Sequence, residues 1–224
     1  MIVVHHLENS RSQRILWLLE ELGAEYEIRR YNRNAKTMLA PPELKQVHPL
    51  GKSPLITDGD TVVAESGAIV EYLVERFDDG TLAPAPGTAE HLGYRHWLHY
   101  AEGSIAPLLV MRLVFSQLPK QAPRLMRPLM RGIESNFMTR FLGPQLDLHL
   151  DYIESSLSAT GHFVGSDWSA ADILMSFPLE AAAARATTDG GKARPAIADF
   201  VERARARPAY QRALDKGGPY ALLS

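Results

Sequence analysis

Three short stretches of this chain place polar side chains where they could meet a ligand. Glu8-Asn9-Ser10-Arg11-Ser12 precedes a run of helical apolar spacing, so it stands near free backbone N–H groups and the positive end of a helix dipole. Such a place suits an anion. The plainer use is that Asn9 or Ser10 caps the helix and does nothing else. Gly51-Lys52-Ser53-Pro54-Leu55 leads into a strand pattern. A cis Ser53–Pro54 bond would turn the Ser53 backbone outward and leave its amide and carbonyl for an extended ligand. A trans bond, the commoner isomer, would make this an ordinary strand start with a solvated Lys52. Glu65-Ser66-Gly67 opens another helix. A carboxylate beside a hydroxyl and open amides can hold both ends of an amino acid, Glu65 taking the ammonium and Ser66 with the helix N-terminus the carboxylate. Ser66 also fits as a plain N-cap.

Other chemistries are poorly served. The 224 residues include 24 basic and 26 acidic side chains, a formal charge of −2, which provides no broad field for nucleic acid or an anionic membrane. Cysteine is absent, which removes disulfides, zinc-thiolate sites and a cysteine nucleophile. His5-His6 and the His91, His96, His99 set lack an HExxH pattern, so no metal is expected. GxSxG, GxxxxGK[ST] and GxGxxG motifs are missing. Lys120, Arg124, Arg127 and Arg131 form a basic stretch broken by Pro123 and Pro128, with no aromatic platform between them. No apolar run reaches the ~18 residues of a spanning helix. The start, MIVVHHLENSRSQR, does not read as a secretory signal, so a cytoplasmic location is expected.

The elements that must position the three stretches can be read from periodicity. Ile2 to Val4 is a β-branched run, and Ile15, Leu16, Leu18, Leu19 and Leu22 repeat at helical spacing before Gly23. Tyr26 to Tyr31 reads as a second strand, and so short a strand–helix–strand unit implies a right-handed crossover and a parallel pair. Leu55-Ile56 and Thr61-Val62-Val63 flank Asp58-Gly59-Asp60, a hairpin signal. Ile69, Tyr72, Leu73 and Phe77 then mark a helix. The order βαβ-ββα is an α/β domain of thioredoxin-like plan over residues 1–78. Residues 79–88 read as a linker, and 89–224 as an all-helical domain with helical spacing over 89–118, 129–158, 169–188 and 195–216. Ser169-Ala-Ala-Asp172 predicts a capping box, with Trp168 and Ile173 at the staple positions, and Pro178 predicts a kink or break in the helix that follows.

Taken together, NSRSQRILWLLEELG, HPLGKSPLI, AESGAIVEYL and the late SAADI resemble the cytosolic glutathione transferase family. NSRSQR and HPLGKSP are most similar to its Gtt-type branch of fungi and bacteria. The resemblance implies a glutathione-binding first domain, a helical domain that completes a pocket for a small electrophile, and a homodimer. Glutathione would be a consumed co-substrate, with no metal or organic coenzyme. Ser53 with cis-Pro54 would hold the cysteinyl backbone, Glu65 and Ser66 the γ-glutamyl group, and Lys52 the glycyl carboxylate. The thiol would lie near Asn9, Ser10 and Ser12. The family's serine or cysteine slot falls on Asn9 here, with Ser10 one residue later, and no tyrosine lies early enough to replace them. Asn9 or Ser10 is therefore the expected thiolate donor. Tyr100, Met111, Arg112 and Phe115 either line the electrophile pocket or belong to the core, the commoner use of such a stripe. The resemblance also admits glutathione-dependent disulfide or peroxide reduction, or a non-catalytic binding module.

Overall fold

The computed structural model describes residues 1–189, 192–218 and 220, with residues 184–189 described as helix backbone only. Four strands, β1 (Ile2–Leu7), β2 (Tyr26–Tyr31), β3 (Leu55–Asp58) and β4 (Thr61–Ala64), form one sheet in the order β2-β1-β3-β4. β1 pairs parallel with β2 and antiparallel with β3, and β3 pairs antiparallel with β4. Helices α1 (Ser12–Glu21) and α2 (Ser66–Phe77) pack together beside this sheet, so the thioredoxin-like plan stands. Alternation along β1 sorts its residues between two cores. Ile2 and Val4 belong to the large core with Ile15, Leu16 and Leu73, whereas Leu7 joins Tyr31, Leu44 and Leu55 in a small second cluster. His6 shares the Ile2 and Val4 face and is equally buried.

The rest is helical: α3 (Ala89–Tyr100), α4 (Ala106–Gln121), α5 (Arg127–Phe137), α6 (Gly143–Thr160), α7 (Ala170–Asp189), α8 (Pro195–Ala206) and α9 (Pro208–Gly217). α3 runs into α4, and α5 into α6, through π turns at Ala101–Ile105 and Met138–Leu142. Two expectations change. Residues 195–216 are not one helix: Arg207 is extended, and Pro208 starts a new helix at the position proline favours. Of the two outcomes expected at Pro178, the break does not occur, and α7 runs on to Asp189. Its start is the predicted box: the Ser169 amide donates to Asp172 Oδ2 at 2.9 Å and the Phe163 amide to Oδ1 at 2.9 Å.

The seam between the two halves runs along α1. Trp17 is fully buried and meets Tyr210 of α9 and Trp168 edge-on, with ring centroids 5.2 and 5.6 Å away. Arg207 forks onto both oxygens of Glu21, at 2.5 and 2.8 Å. Glu20 accepts from Arg212 at 2.8 Å, from the Tyr26 hydroxyl at 2.6 Å and from Lys216. α9 thus clamps the helix that carries the first candidate stretch.

Candidate active site

Sheet register brings the three stretches to one edge. His5 faces Leu55, and Leu55 faces Ala64, so the end of β1, the start of β3 and the end of β4 lie side by side. The chain then leaves that edge as Glu8–Arg11, arrives through Lys52–Pro54, and leaves again as Glu65.

The Ser53–Pro54 bond is cis. Ser53 is half-buried, with its hydroxyl donating to the His5 carbonyl at 3.3 Å, and Lys52 is exposed. Gly51 has φ +56°, and a Cβ there would lie 2.7 Å from Lys45 Cγ, so this turn requires glycine.

At α2 the expected cap is not made. Glu65, not Ser66, occupies the N-cap position, with φ +73° and ψ 130°, and its side chain makes no bond to the helix. Such a backbone costs a non-glycine residue about 1–3 kcal/mol. Ser66 is the first helical residue and is buried; its hydroxyl accepts from Arg14 Nη2 at 3.2 Å rather than closing the first turn. Glu65 is exposed beside a helix N-terminus that its own side chain leaves open.

The start of α1 is organised inward. Ser10 and Ser12 are both buried. Ser10 Oγ accepts from the Ser12 amide at 3.2 Å and meets Ser12 Oγ at 2.8 Å, and Ser12 Oγ meets His6 Nδ1 at 2.8 Å. Asn9 is exposed at φ +47°, a region asparagine tolerates. Its carbonyl accepts from Arg33 Nη2 at 3.1 Å, and Glu8 accepts from the Arg33 amide at 2.6 Å. The side chain that this loop presents outward is therefore Asn9.

Two residues that were not singled out beforehand, Glu102 and Arg14, join the site together with Arg11. Glu102, in the π turn after α3, accepts from Arg11 at 2.9 Å and from the buried Arg14 at 2.5 Å. Arg14 also donates to the Leu174 carbonyl and lies 5.1 Å over the Phe177 ring. Burial alone would push the Glu102 carboxyl up, but Arg14 and Arg11 prevail and hold it below the usual range. Arg11 and Arg14 lie three apart on one helix face, which was a readable signal; Glu102 lies some ninety residues away and offered none.

The residues expected to meet the electrophile are dispersed in their contacts. Tyr100 is a core residue whose hydroxyl bonds His149 Nδ1 at 2.5 Å, turned toward α6. Phe115 stacks on Phe137 of α5 at 3.9 Å between centroids. Met111 packs against the main core, and burial pulls the Arg112 guanidinium down while Asp147 opposes it. Among the described residues no group of three or more His, Asp or Glu side chains could hold a metal ion, and no helix is long and apolar enough to cross a membrane.

Comparison with known proteins gives the family of the chain. Residues 1–75 match the family model for the glutathione S-transferase N-terminal domain, and residues 142–208 match the C-terminal one. Glutathione S-transferase 3 of Schizosaccharomyces pombe is 37% identical over 182 residues, 81% of this chain and 74% of that protein. A solved glutathione S-transferase of Actinobacillus pleuropneumoniae superposes with a TM-score of 0.78 and 32% identity, over all of this chain and 95% of its own. A glutathione transferase of Phanerochaete chrysosporium, solved with oxidized glutathione, shares the fold at a TM-score of 0.76 and 22% identity, over 96% of this chain and 94% of its own. With both domains matched in order and a 37% identical relative spanning most of the chain, this protein belongs to the glutathione transferase family of enzymes.

Proposed function

We propose that this protein binds glutathione across the shared edge of β1, β3 and β4 and activates its thiol for attack on small hydrophobic electrophiles. Glu65 receives the γ-glutamyl ammonium, and Ser66 with the open end of α2 receives its carboxylate. The Ser53 backbone, turned by cis-Pro54, pairs with the cysteinyl residue, and Lys52 meets the glycyl carboxylate. The thiol reaches the Asn9, Ser10 and Ser12 loop, where Asn9 or Ser10 donates to the thiolate. Met111, Arg112 and Phe115, with Tyr100 behind them, border the second substrate. The protein works as a cytoplasmic homodimer. The observation that carries this reading is Glu65, exposed and held at φ +73° before an uncapped helix, because a strained backbone kept at such a place needs a use. The oxidized glutathione with which the Phanerochaete chrysosporium transferase was solved supports a glutathione ligand.

The energetics suffice. A free thiol of pKa ~8.5 is only a few per cent thiolate at neutral pH, and lowering it by ~2 units needs about 2.7 kcal/mol of preferential stabilisation. One charge-assisted hydrogen bond contributes ~1.5–3 kcal/mol and a helix N-terminus ~0.3–1 kcal/mol. No side chain needs to act as base.

An ultraviolet pH titration of glutathione on the purified protein tests this. The bound thiol should titrate well below its free value, and Glu65→Ala should abolish binding while the protein stays folded. Unchanged affinity in Glu65→Ala would remove the γ-glutamyl assignment, and an unshifted thiol would remove the activation step. The exposed Asn9 would serve disulfide or peroxide reduction by the same thiolate, so parallel assays with an electrophile and a glutathione disulfide separate the two activities.

A further inference from the structure

Pro178 lies inside α7 and is buried, yet the helix runs past it. Proline has no N–H, so the carbonyl four residues earlier, that of Leu174, lacks its helical donor, and the pyrrolidine ring crowds that carbonyl away from the helix axis. Leu174 is wholly buried, so bulk water does not reach it to replace the donor. Arg14 of α1 does: its Nη1 donates to the Leu174 carbonyl. The same buried side chain donates from Nη2 to Ser66 Oγ at 3.2 Å and to Glu102 at 2.5 Å, and lies 5.1 Å over the Phe177 ring. Its Nε has no partner among the described residues.

We infer that Pro178 and Arg14 are positioning residues for the γ-glutamyl subsite: the proline frees the Leu174 carbonyl as a seat for Nη1 of Arg14, and the guanidinium so seated aims Nη2 at Ser66. A guanidinium is planar and rigid, so fixing one terminal nitrogen fixes the direction of the other. Both other acceptors of Arg14 draw on Nη2, and Glu102 is shared with Arg11. The Leu174 carbonyl is therefore the contact that orients the plane. A guanidinium also has donors only, so the Ser66 oxygen must accept from it. The one proton of Ser66 is left to be given to an acceptor, the role that the γ-glutamyl carboxylate requires. A proline in the interior of a helix normally weakens it. Here the carbonyl it strips is satisfied from the other domain, and α7 thereby orders the start of α2 through a single side chain of α1. The inference rests on the glutathione reading for what Ser66 does, not for the link between Pro178 and Arg14.

Pro178→Ala supplies the missing amide, which draws the Leu174 carbonyl back into the helix and away from Arg14. Two double-mutant cycles with Arg14→Met on the full chain test the link. The first needs no ligand. In the Arg14→Met background Pro178→Ala only restores a helical bond, whereas in the unaltered background it also strips a buried donor of its acceptor. The urea midpoint should therefore rise more, on Pro178→Ala, in Arg14→Met than in the unaltered protein. Equal shifts would overturn the inference whether or not glutathione binds. The second cycle reads glutathione affinity by calorimetry. Pro178→Ala should weaken binding about tenfold when Arg14 is present, the size of coupling expected between contacting residues, and should cause no further loss in Arg14→Met. The same loss in both backgrounds would make Pro178 a merely structural residue of α7 and overturn the inference, while glutathione binding itself would stand. If Arg14→Met does not fold, Arg14→Lys, which lacks the two-nitrogen fork, replaces it. If neither folds, the affinity of Pro178→Ala decides alone, and an unchanged value overturns the inference.

Discussion

α2 and α7 begin with the same kinds of residue and use them in opposite ways. At α7, Asp172 is wholly buried and its oxygens take the amides of Phe163 and Ser169 and the Ser169 hydroxyl, the last at 2.5 Å. Trp168 and Ile173, buried at the flanking positions, seal the turn. At α2, the carboxylate of Glu65 points to solvent from a strained backbone and the hydroxyl of Ser66 is taken by Arg14, so the first turn receives no help from its N-cap. One start is closed for stability, and the other is held open at a cost. The start of α1 is an intermediate case, closed through Ser10, Ser12 and His6.

The contrast can be broken by substitution at each end. Asp172→Ala removes the acceptor of two buried amides and a hydroxyl and should cost about 3–5 kcal/mol in urea unfolding, with glutathione affinity of the folded protein much less affected. A next-largest effect is expected at α1 on acidification. His6 has a folded pKa of about 4 against an unfolded 6.5, so the unfolded chain binds more protons between them. Stability from this group is complete above pH ~6.5 and declines as the pH falls to ~4, by about 3 kcal/mol. Unfolding free energies of the unaltered protein and His6→Phe should therefore converge on acidification; parallel pH profiles would refute this. Glu65→Gly should have the smallest effect and the opposite sign. Relief of the positive φ, less the extra freedom of glycine in the unfolded chain, should raise stability by about 1 kcal/mol while glutathione binding is lost. A stabilised variant that still binds would show that α2 is not held open for the γ-glutamyl group.

What could be read in advance was local. The alternation of strand and helix through residue 77 and the Ser169–Asp172 box depend on neighbours within a few positions, where periodicity and capping rules apply. Isomer and backbone sign were not legible: Ser53–Pro54 could be cis or trans, and nothing in the composition marks Glu65 for φ +73°. Ser66 looked like a cap because its type and position fit one. Arg14, fifty-two residues earlier, claims its hydroxyl instead. Glu102 was invisible because its meaning lies in a contact across the domain seam. Pro208 was a readable stop that the apolar spacing of 195–216 obscured, whereas at Pro178 the helix runs on without the break.

The clamp of α9 on α1 bears on how the chain is made. Trp17, Glu20 and Glu21 find their partners at Trp168, Arg207, Tyr210, Arg212 and Lys216, at separations of up to 196 residues. During translation at roughly 5–20 residues per second, that face of the first domain emerges on the order of ten seconds or more before anything can cover it. The nascent first domain thus leaves the ribosome with an indole and two acids uncovered, and its completion waits for α9 to be synthesised. The order in which the chain is made thus sets the order in which this face can be buried.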